Sequence, residues 1–324
     1  MFEEVPLLSI IIPCFNSFHL MTNGLRSVSK LENVEVIVVD DCSTDDSYEQ
    51  ILEYSKSYPM VKVYRNDRNS GPGLSRNYGI SQSTGKYITF LDSDDYFTDD
   101  FLLSVLPVLN KNPECVIFDG SIVYQSHKTY FPMLDKSFAE GYIDNKDALV
   151  FVKGCTWGKI YRSELLKKHQ IEFLRLKRNE DMPFTKCAIA FATDIYYLPR
   201  PFYNYIDNKE SLMHDSSLLD VTNAQNAFFF VRDRIGNLYP EEIEAIFAVE
   251  YLYSTVLTNI QKLKRREVLE YIDSSEKLYP DWNRNKYIQE FGRLRCLILY
   301  FIKHRNWIVL KSVIVLKRII KKTN

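Results

Sequence analysis

Short apolar runs of strand length alternate with segments of helical length over the first 120 residues. Five runs rich in β-branched or aromatic residues predict strands: Leu7–Ile12, Val34–Asp40, Val61–Arg65, Tyr87–Leu91 and Cys115–Phe118. The segments between them predict helices: Phe18–Lys30, Asp45–Ser57, Pro72–Ser81 and Thr98–Leu109. Such alternation is typical of βαβ units, so we expect an α/β fold with a mostly parallel central sheet and helices on both of its faces.

The pattern changes beyond residue 120. Short strands and helices are mixed at first: strands at Ser121–Tyr124 and Asp194–Leu198, and helices at Ser163–His169 and Asp181–Ala192. The spacing then becomes helical: Asn223–Ile235, Glu241–Leu263 and Glu267–Tyr279. We therefore expect an α/β domain over residues 1–212 and a helical C-terminal region over 213–324, with the boundary at Ser211–Ser217.

Composition excludes several classes of protein. The chain has 324 residues, of which 46% are hydrophobic, so it folds around a sizeable core and is not disordered. Its six cysteines are scattered without C-x-x-C spacing, which argues against a zinc site or a disulfide framework and favours reduced thiols in a cytosol. The acidic start argues against a signal peptide, and the lack of an eighteen-residue apolar stretch argues against a membrane span.

Polar residues cluster directly after four of the predicted strands. These clusters are Pro13–Asn16, Asp40–Asp45, Asn69–Gly73 and Asp92–Asp95. The carboxyl ends of parallel strands meet at one edge of a sheet, and ligands of such folds bind there. The clusters therefore predict the position of a binding crevice.

Two of these clusters offer carboxylates. Asp92 and Asp94 can hold a hard divalent cation, which in turn neutralises a diphosphate, although aspartates also cap helices and a helix is predicted just beyond them. Asp40 and Asp41 can accept hydrogen bonds from a ligand, for instance from ribose hydroxyls. Capping explains the following residues, Ser43–Asp45, but not two acids on the strand end.

The loop at Asn69–Asn77 leads into a helix with Pro72 near its first turn. Its glycines let the backbone approach a ligand, and Arg76 can pair with phosphate; the alternative is an ordinary turn followed by a surface arginine. The loop is neither a G-x-G-x-x-G sequence nor a Walker loop, which disfavours a dehydrogenase or a P-loop enzyme.

Three further residues are open to two interpretations. Asp181, after Glu180, is either a general base facing the crevice or an acid at a helix start. Trp157 offers a ring on which a sugar can stack, or it belongs to the core. His214 is a candidate ligand for a metal or phosphate, although a lone histidine is seldom one.

Taken in order, seven segments resemble the family 2 inverting glycosyltransferases of the GT-A fold. They are PCFN (13–16), VDDCSTDDS (39–47), NSGPGLSRNYGI (69–80), YITFLDSDD (87–95), WGKIYRSELL (157–166), NEDMPF (179–184) and YNYIDNKESL (203–212). The stretch over which they are distributed, roughly residues 7–214, is about two thirds of the chain. The resemblance implies a nucleotide-binding half at 1–115, an acceptor half at 116–212, a nucleotide-sugar donor that is usually a UDP-sugar, and Mn²⁺ or Mg²⁺ as cofactor.

The resemblance also implies a role for individual residues. The donor side comprises Pro13, Phe15, Asn16, Asp41, Asn69, Arg76, Asp92 and Ser93. Asp41 matches the aspartate that contacts uracil, and Asp94 is the more direct metal ligand beside Asp92, with His214 as a further candidate. Asp181 matches the catalytic base, and Trp157, Lys159 and Glu180 match the acceptor side. Two small residues depart from the family pattern: Cys42 replaces the usual glycine, and Ser75 replaces the usual alanine.

The C-terminal segment 293–322 is strongly basic. It holds nine Lys and Arg residues and no Asp or Glu, which leaves a net charge of −10 on the rest of the chain. This amphipathic segment is expected to lie on an anionic membrane surface; alternatively, its apolar face packs on the domain or on a second subunit in a homo-oligomer. The acidic remainder argues against a nucleic-acid partner.

The sequence thus predicts a cytoplasmic, metal-dependent hexosyl- or N-acetylhexosaminyltransferase, peripheral on the inner membrane face. Its acceptor would be a hydroxyl of a glycan or lipid-linked glycan used in surface polysaccharide or glycolipid assembly. One alternative is a transferase that extends O-glycans on a serine-rich adhesin. Another is a binding module that keeps the fold without turnover. A nucleotidyltransferase fits the Glu180–Asp181 segment poorly.

Overall fold

The computed structural model describes residues 5–29, 31–207, 221–260 and 264–313. The chain divides into two compact units. The first comprises Met1–Ala148 and Val152–Leu218, and the second comprises Leu149–Phe151 and Leu219–Asn324. The predicted boundary at Ser211–Ser217 lies outside the described residues.

Four parallel strands form one half of the sheet in the first unit. They are β1 (Leu8–Cys14), β2 (Val34–Asp40), β3 (Val61–Arg65) and β4 (Tyr87–Phe90), in the order β3-β2-β1-β4. Every residue of β1, β2 and β4 is buried, as expected for strands covered on both faces. The predicted βαβ arrangement is confirmed here, and all four strand ends carry the polar clusters to one edge.

Three of the four predicted helices begin later than predicted, whereas the one predicted at Pro72–Ser81 begins at Pro72 as expected. The helices are α1 (Thr22–Val28), α2 (Ser47–Ser57), α3 (Pro72–Gln82) and, after the two-residue strand β5 (Tyr96–Phe97), α4 (Phe101–Leu109). The predicted helix at Phe18–Lys30 begins instead as a separate 3₁₀ turn over Phe18–Leu20. Serine, threonine and asparagine compete for backbone hydrogen bonds at such starts, which favours turns over helix.

The other half of the sheet is mixed rather than parallel. It adds β6 (Cys115–Val123), β7 (Lys128–Phe131), β8 (Gly141–Ile143), β9 (Lys159–Arg162) and β10 (Ile195–Ile206), with helices α5 (Asn145–Phe151), α6 (Ser163–Lys168) and α7 (Asp181–Phe191) between them. Strand β9 lies between β4 and β6 and is antiparallel to both. Strands β6 and β10 also pair in parallel. The expected parallel pairing therefore holds within β1–β4 and between β6 and β10, whereas β5, β7, β8 and β9 pair antiparallel with their neighbours.

The second unit is helical. Its elements are α8 (Val221–Ile235), α9 (Pro240–Ile246), a π-helical turn (Phe247–Tyr253), α10 (Ser254–Asn259), α11 (Arg265–Glu276) and α12 (Arg293–Lys303). The single helix predicted at Glu241–Leu263 is thus interrupted by the π turn. Trp282 is fully buried in this unit, and its Nε1 donates a hydrogen bond to Glu276 Oε1 at 2.9 Å.

The described part of the basic segment packs on the second unit. Helix α12 buries Ile298, Leu299 and Ile302, and Lys303 and Arg305 form ion pairs with Glu276. The packing alternative is therefore realised for this helix. Its exposed side chains include Leu294, Leu297 and Tyr300, spaced three residues apart on one helix face. Binding of 293–322 to a membrane stays a prediction, and residues 314–322 lie outside the description.

None of the described helices combines the length and apolar character that crossing a bilayer requires.

A buried carboxylate fixes the sheet at the edge opposite the polar clusters. Glu35 on β2 accepts hydrogen bonds from Ser9 Oγ at 2.6 Å, from the backbone amides of Thr84 and Gly85, and from Lys62 Nζ at 2.6 Å. Burial acts to raise the pKa of Glu35, but the hydrogen bonds from Lys62, Ser9 and Thr84 outweigh it and hold the pKa below its ordinary value.

Replacing Glu35 by alanine should lower the free energy of unfolding by about 3 kcal/mol, because several buried donors lose their acceptor. The ionised form stabilises the fold above the ordinary pKa of 4.5, and this contribution disappears as the pH falls through the lowered folded-state value. Urea unfolding of Glu35→Ala and wild type should therefore differ most near neutral pH and converge in acid. Glu53→Ala, at a 74% exposed side chain, is the matched control with little effect. Equal effects of the two substitutions would contradict the assignment.

Candidate active site

Arg76 lies at the centre of the predicted crevice and is almost completely buried. Its Nη2 is 2.7 Å from Asp92 Oδ1, and its Nη1 is 3.3 Å from Asp181 Oδ1 and 3.5 Å from Glu180 Oε1. Burial acts to lower the pKa of Arg76, but the three carboxylates outweigh it, so the guanidinium stays charged. Asp92 and Asp181 are 16 and 105 residues from Arg76 along the chain, and both contact its guanidinium.

Helix α3 presents Arg76 to the crevice because of its glycines. Gly71 has φ +89°, a left-handed conformation that permits the turn into Pro72. A Cβ at Gly73 would lie 3.0 Å from Glu180 Cγ and 3.2 Å from Phe173 Cβ, so a larger residue here would require these side chains to shift. Asn77 and Phe173 exchange two hydrogen bonds of 2.8 Å, which fixes the helix to the segment preceding α7.

The carboxylate of Asp41 holds the loop that leads to α3. It accepts hydrogen bonds from Asn66 Nδ2 at 2.7 Å and from the backbone amides of Ser70 and Gly71, at 2.9 and 2.7 Å. These donors use most of the acceptor capacity of a carboxylate. The contact of Asp41 with a base stays a prediction, and its observed partners make it an anchor of the loop. Asn69, the other predicted donor residue of this loop, is exposed.

The first loop is joined to the second by a set of short hydrogen bonds. Asn16 donates from its backbone amide to Ser43 Oγ at 2.9 Å, and its Oδ1 accepts from the amide of Thr44 at 2.8 Å. Phe15 beside it is 43% exposed, whereas Pro13 is buried within β1. The predicted donor residues of this loop therefore border the same crevice edge as Asp41.

Cys42 has φ +62°, which places it in the left-handed region that glycine adopts most easily. Cysteine in place of the family's usual glycine thus keeps the left-handed turn. This backbone conformation costs a non-glycine residue about 1–2 kcal/mol. None of the six cysteines, all of which lie in the described ranges, forms a disulfide.

The turn at Asp92–Asp95 is held by residues that the sequence did not single out. The Tyr203 hydroxyl accepts from the Asp92 amide at 3.1 Å and donates to Asp95 Oδ2 at 2.7 Å. Ser17 Oγ donates to Ser93 Oγ at 3.0 Å. Burial, together with the charges of Asp92 and Asp94, raises the pKa of Asp95. Tyr203 begins one of the segments that resemble the family, but a hydroxyl partner over a hundred residues away cannot be predicted from spacing.

Asp92 and Asp94 suit a divalent cation in the chemistry of their donor atoms. Both are partly exposed and offer hard carboxylate oxygens, and Mg²⁺ commonly takes one or two carboxylates while water and substrate phosphates complete its shell. Among the described residues, no group of three or more His, Cys, Asp or Glu side chains is placed to hold a metal. His214 lies outside the described residues.

Glu180 and Asp181 differ in environment although they are neighbours. Burial and the nearby charge of Asp181 raise the pKa of Glu180 to about 7, with Arg76 opposing. Burial also raises the pKa of Asp181, again against Arg76. The Asp181 side chain is 33% exposed, compared with 11% for Glu180, so Asp181 has the freer carboxylate.

Trp157 and Lys159 lie beneath the crevice rather than on its surface. The Trp157 ring is 6% exposed and stacks on Tyr203, with ring centroids 4.7 Å apart, which matches the core interpretation. The fully buried Lys159 donates from Nζ to the carbonyls of Cys155 and Trp157 at 2.7 and 3.1 Å. Lys159 thus supports the backbone at Cys155–Trp157. Direct contacts of Trp157 and Lys159 with an acceptor stay predictions.

Just over half of the chain matches a known protein family. The family model, described as "Glycosyl transferase family 2", matches residues 9–180. The poly(ribitol-phosphate) beta-N-acetylglucosaminyltransferase TarS of Staphylococcus aureus is 33% identical over 62% of this chain and 36% of its own length. The glycosyltransferase EpsH of Bacillus subtilis is 30% identical over 62% of this chain and 61% of its own length. The chain thus spans less than two thirds of these relatives.

Solved structures give the fold. The crystal structure of S. aureus TarS 1-349 superposes with a TM-score of 0.73 at 23% identity, over 96% of this chain and 91% of that one. A complex of the same protein with UDP-GlcNAc gives a TM-score of 0.72 at 22% identity, over the same shares of the two chains. The α/β architecture with a helical C-terminal region is the GT-A fold of TarS.

Replacing Tyr203 by phenylalanine should lower the free energy of unfolding by about 1–3 kcal/mol, because the buried Asp92 amide loses its acceptor and Asp95 loses a donor. Thermal unfolding of Tyr203→Phe should show this loss. Tyr142→Phe removes a hydroxyl from a 55% exposed tyrosine and is the matched control. If both variants unfold at the wild-type temperature, the Tyr203 hydroxyl does not hold the turn.

Proposed function

The chain belongs to glycosyl transferase family 2, and on that premise we propose that it transfers a sugar from a UDP-sugar to a hydroxyl of a glycan acceptor with inversion. The observation that carries the proposal is the convergence of Asp92, Glu180 and Asp181 on Arg76 at the carboxyl ends of the parallel strands. One side of this cluster suits a diphosphate, and the other presents a carboxylate to an incoming alcohol.

The donor side is assigned to the loops after β1, β2 and β3. In this assignment Asp41 and Asn69 border the nucleotide, with Phe15 and Asn16 beside them, and Arg76 faces the diphosphate. A buried, charged guanidinium pairs well with phosphate oxygens and needs no reorganisation as charge develops on them. The TarS complexes with UDP and UDP-GlcNAc support a uridine nucleotide as the donor class.

A divalent cation, Mn²⁺ or Mg²⁺, would be held by Asp92 and Asp94 and would neutralise charge on the leaving diphosphate. Asp92 is already ion-paired with Arg76, so the two positive centres would share this carboxylate. A distant structural neighbour, a mannosyltransferase from Pyrobaculum calidifontis with a TM-score of 0.55, was solved with Mn²⁺ and supports a divalent cation in this fold.

Asp181 is assigned as the general base. Its carboxylate takes the proton of the acceptor hydroxyl while that oxygen attacks the anomeric carbon from the face opposite the diphosphate, and a single displacement inverts the configuration. The raised pKa of Asp181 brings its basicity closer to neutral pH, where a general base is most effective. Its greater exposure than that of Glu180 leaves an oxygen available for the acceptor.

The acceptor is proposed to belong to a cell-surface polymer. Two relatives act on poly(ribitol-phosphate), one as a beta-N-acetylglucosaminyltransferase and one as a beta-glucosyltransferase from Bacillus spizizenii that is 34% identical over 59% of this chain and 32% of its own length. These names support a hexosyl or N-acetylhexosaminyl residue as the transferred group and a polyhydroxylated polymer as its acceptor.

A panel of nucleotide sugars with Mn²⁺ tests the donor class. We expect UDP-sugars to raise the unfolding temperature and to be slowly hydrolysed, whereas GDP- and dTDP-sugars have little effect; a ligand at about 100 times its Kd stabilises by about 2.7 kcal/mol. In Asp94→Asn the Mn²⁺-dependent part of this shift should be lost. Stabilisation without hydrolysis or transfer would favour a binding module, and no response to any nucleotide sugar would reject the proposal.

Asp181→Asn should reduce transfer by about 10²–10⁴-fold while the donor still binds, because general-base assistance is lost without removing a donor contact. Initial rates of transfer, measured beside donor-induced stabilisation, check this. Asp99→Asn, at an exposed acid, is the control that should keep wild-type rates. Loss of transfer in Glu180→Gln but not in Asp181→Asn would move the base to Glu180.

A further inference from the structure

A second cleft lies at the edge of the sheet away from the candidate active site. Its volume is about 710 Å³, and the residues that line it include Lys86, Asn112, Arg162, Glu164, Lys167 and Lys168. Lys86 immediately precedes β4, and Arg162 at the end of β9 pairs in register with Tyr87, the first residue of β4. This cleft therefore belongs entirely to the first unit.

The cleft and the active-site crevice are at opposite ends of β4. Lys86 and Asp92 are six residues apart along an extended segment, which corresponds to roughly 20 Å at about 3.3 Å per residue. A ligand in this cleft therefore does not contact the Arg76 cluster. Nothing in the proposed reaction uses the residues of this cleft.

Four cations and one carboxylate give the cleft an excess of three positive charges. In the described part of the chain, no carboxylate forms an ion pair with Lys86, Arg162, Lys167 or Lys168, whereas Glu35 neutralises Lys62 and three carboxylates surround Arg76. Concave surfaces lined by one sign of charge concentrate the field and attract counter-ions.

The positions of the four cations are only partly explained by the fold. Lys167 and Lys168 are in the last turn of α6, where the helix dipole stabilises positive charge. That explanation does not apply to Lys86 or Arg162, which lie on strand ends. Arg162 is held by a hydrogen bond from its Nη2 to the carbonyl of Asn112, which fixes the planar guanidinium beside the lysines.

We propose that this basic cleft is a second ligand site that binds a phosphate-bearing anion, with Arg162 and the three lysines as its cationic partners. Guanidinium and ammonium groups form charge-assisted hydrogen bonds with phosphate oxygens, and Arg162 offers a fork that matches two of them. The cleft is larger than one phosphate group, so it accommodates a ligand that carries further atoms or charges. The phosphate can come from a soluble molecule or from a lipid headgroup.

Lysine-acetylation footprinting of the full chain, read by mass spectrometry, tests the site with two probes. One is inorganic pyrophosphate, and the other is phosphatidylglycerol-containing vesicles, compared with phosphatidylcholine vesicles. We expect protection of Lys86, Lys167 and Lys168 but not of the exposed Lys146 and Lys277. Protection by pyrophosphate identifies a soluble phosphate as sufficient, and protection by the anionic vesicles alone identifies a headgroup; either result supports the site.

The double variant Lys167→Glu/Lys168→Glu provides the second measurement. Titration calorimetry should show binding of the protecting probe weakened about tenfold or more, since two charge-assisted contacts are reversed. The double variant Lys146→Glu/Lys277→Glu makes the same change in net charge elsewhere and should bind as the wild type does. Equal weakening in both variants, equal protection of all five lysines, or no protection by either probe would overturn the proposal.

Discussion

The buried guanidinium of Arg76 is the constraint on which the candidate site depends. A charge taken out of water in this way is strongly destabilising unless it is paired, so Asp92 and the Glu180–Asp181 pair must both reach it. Three carboxylates around one cation also leave a surplus of negative charge, which adds to the desolvation that raises the pKa of Glu180 and Asp181. A donor diphosphate adds more negative charge, so it enters favourably only with additional positive charge.

Much of the supporting fold follows from local signals. The strands β1, β2 and β4 are predominantly apolar and buried throughout, and the parallel direction of β1–β4 follows from the βαβ pattern. Strand β10 was predicted to end at Leu198 but continues to Ile206, because shifts of register around Pro201 absorb the prolines that normally exclude a central strand. Strand β9 (KIYR) has charged residues at both ends and no apolar run that predicts a strand. Its strand conformation depends on pairing with β4 and β6 on either side.

The candidate site was predictable in its residue types but not in its contacts. Strand-end clusters predict the positions of Asp41 and Asp92, since strand ends converge whatever the detailed packing is, and the glycine-containing loop after β3 points to Arg76 in the helix that follows it. The hydroxyl of Tyr203 and the buried ammonium of Lys159 could not be found in this way. Each acts on backbone groups of a distant segment, and such partners depend on tertiary packing rather than on sequence spacing.

The difference between Glu180 and Asp181 shows how the fold assigns distinct chemistry to adjacent carboxylates. Glu180 packs closely against Gly73 of α3, and burial together with the charge of Asp181 raises the pKa of Glu180 to about 7. Asp181 begins α7 and keeps a third of its side chain exposed while it contacts the same guanidinium. In the proposed reaction the enclosed acid adjusts the charge balance around Arg76, and the more exposed acid takes the proton of the acceptor alcohol. The close packing of α3 on Glu180 separates the environments of two adjacent carboxylates, which is how neighbouring acids come to differ in chemistry.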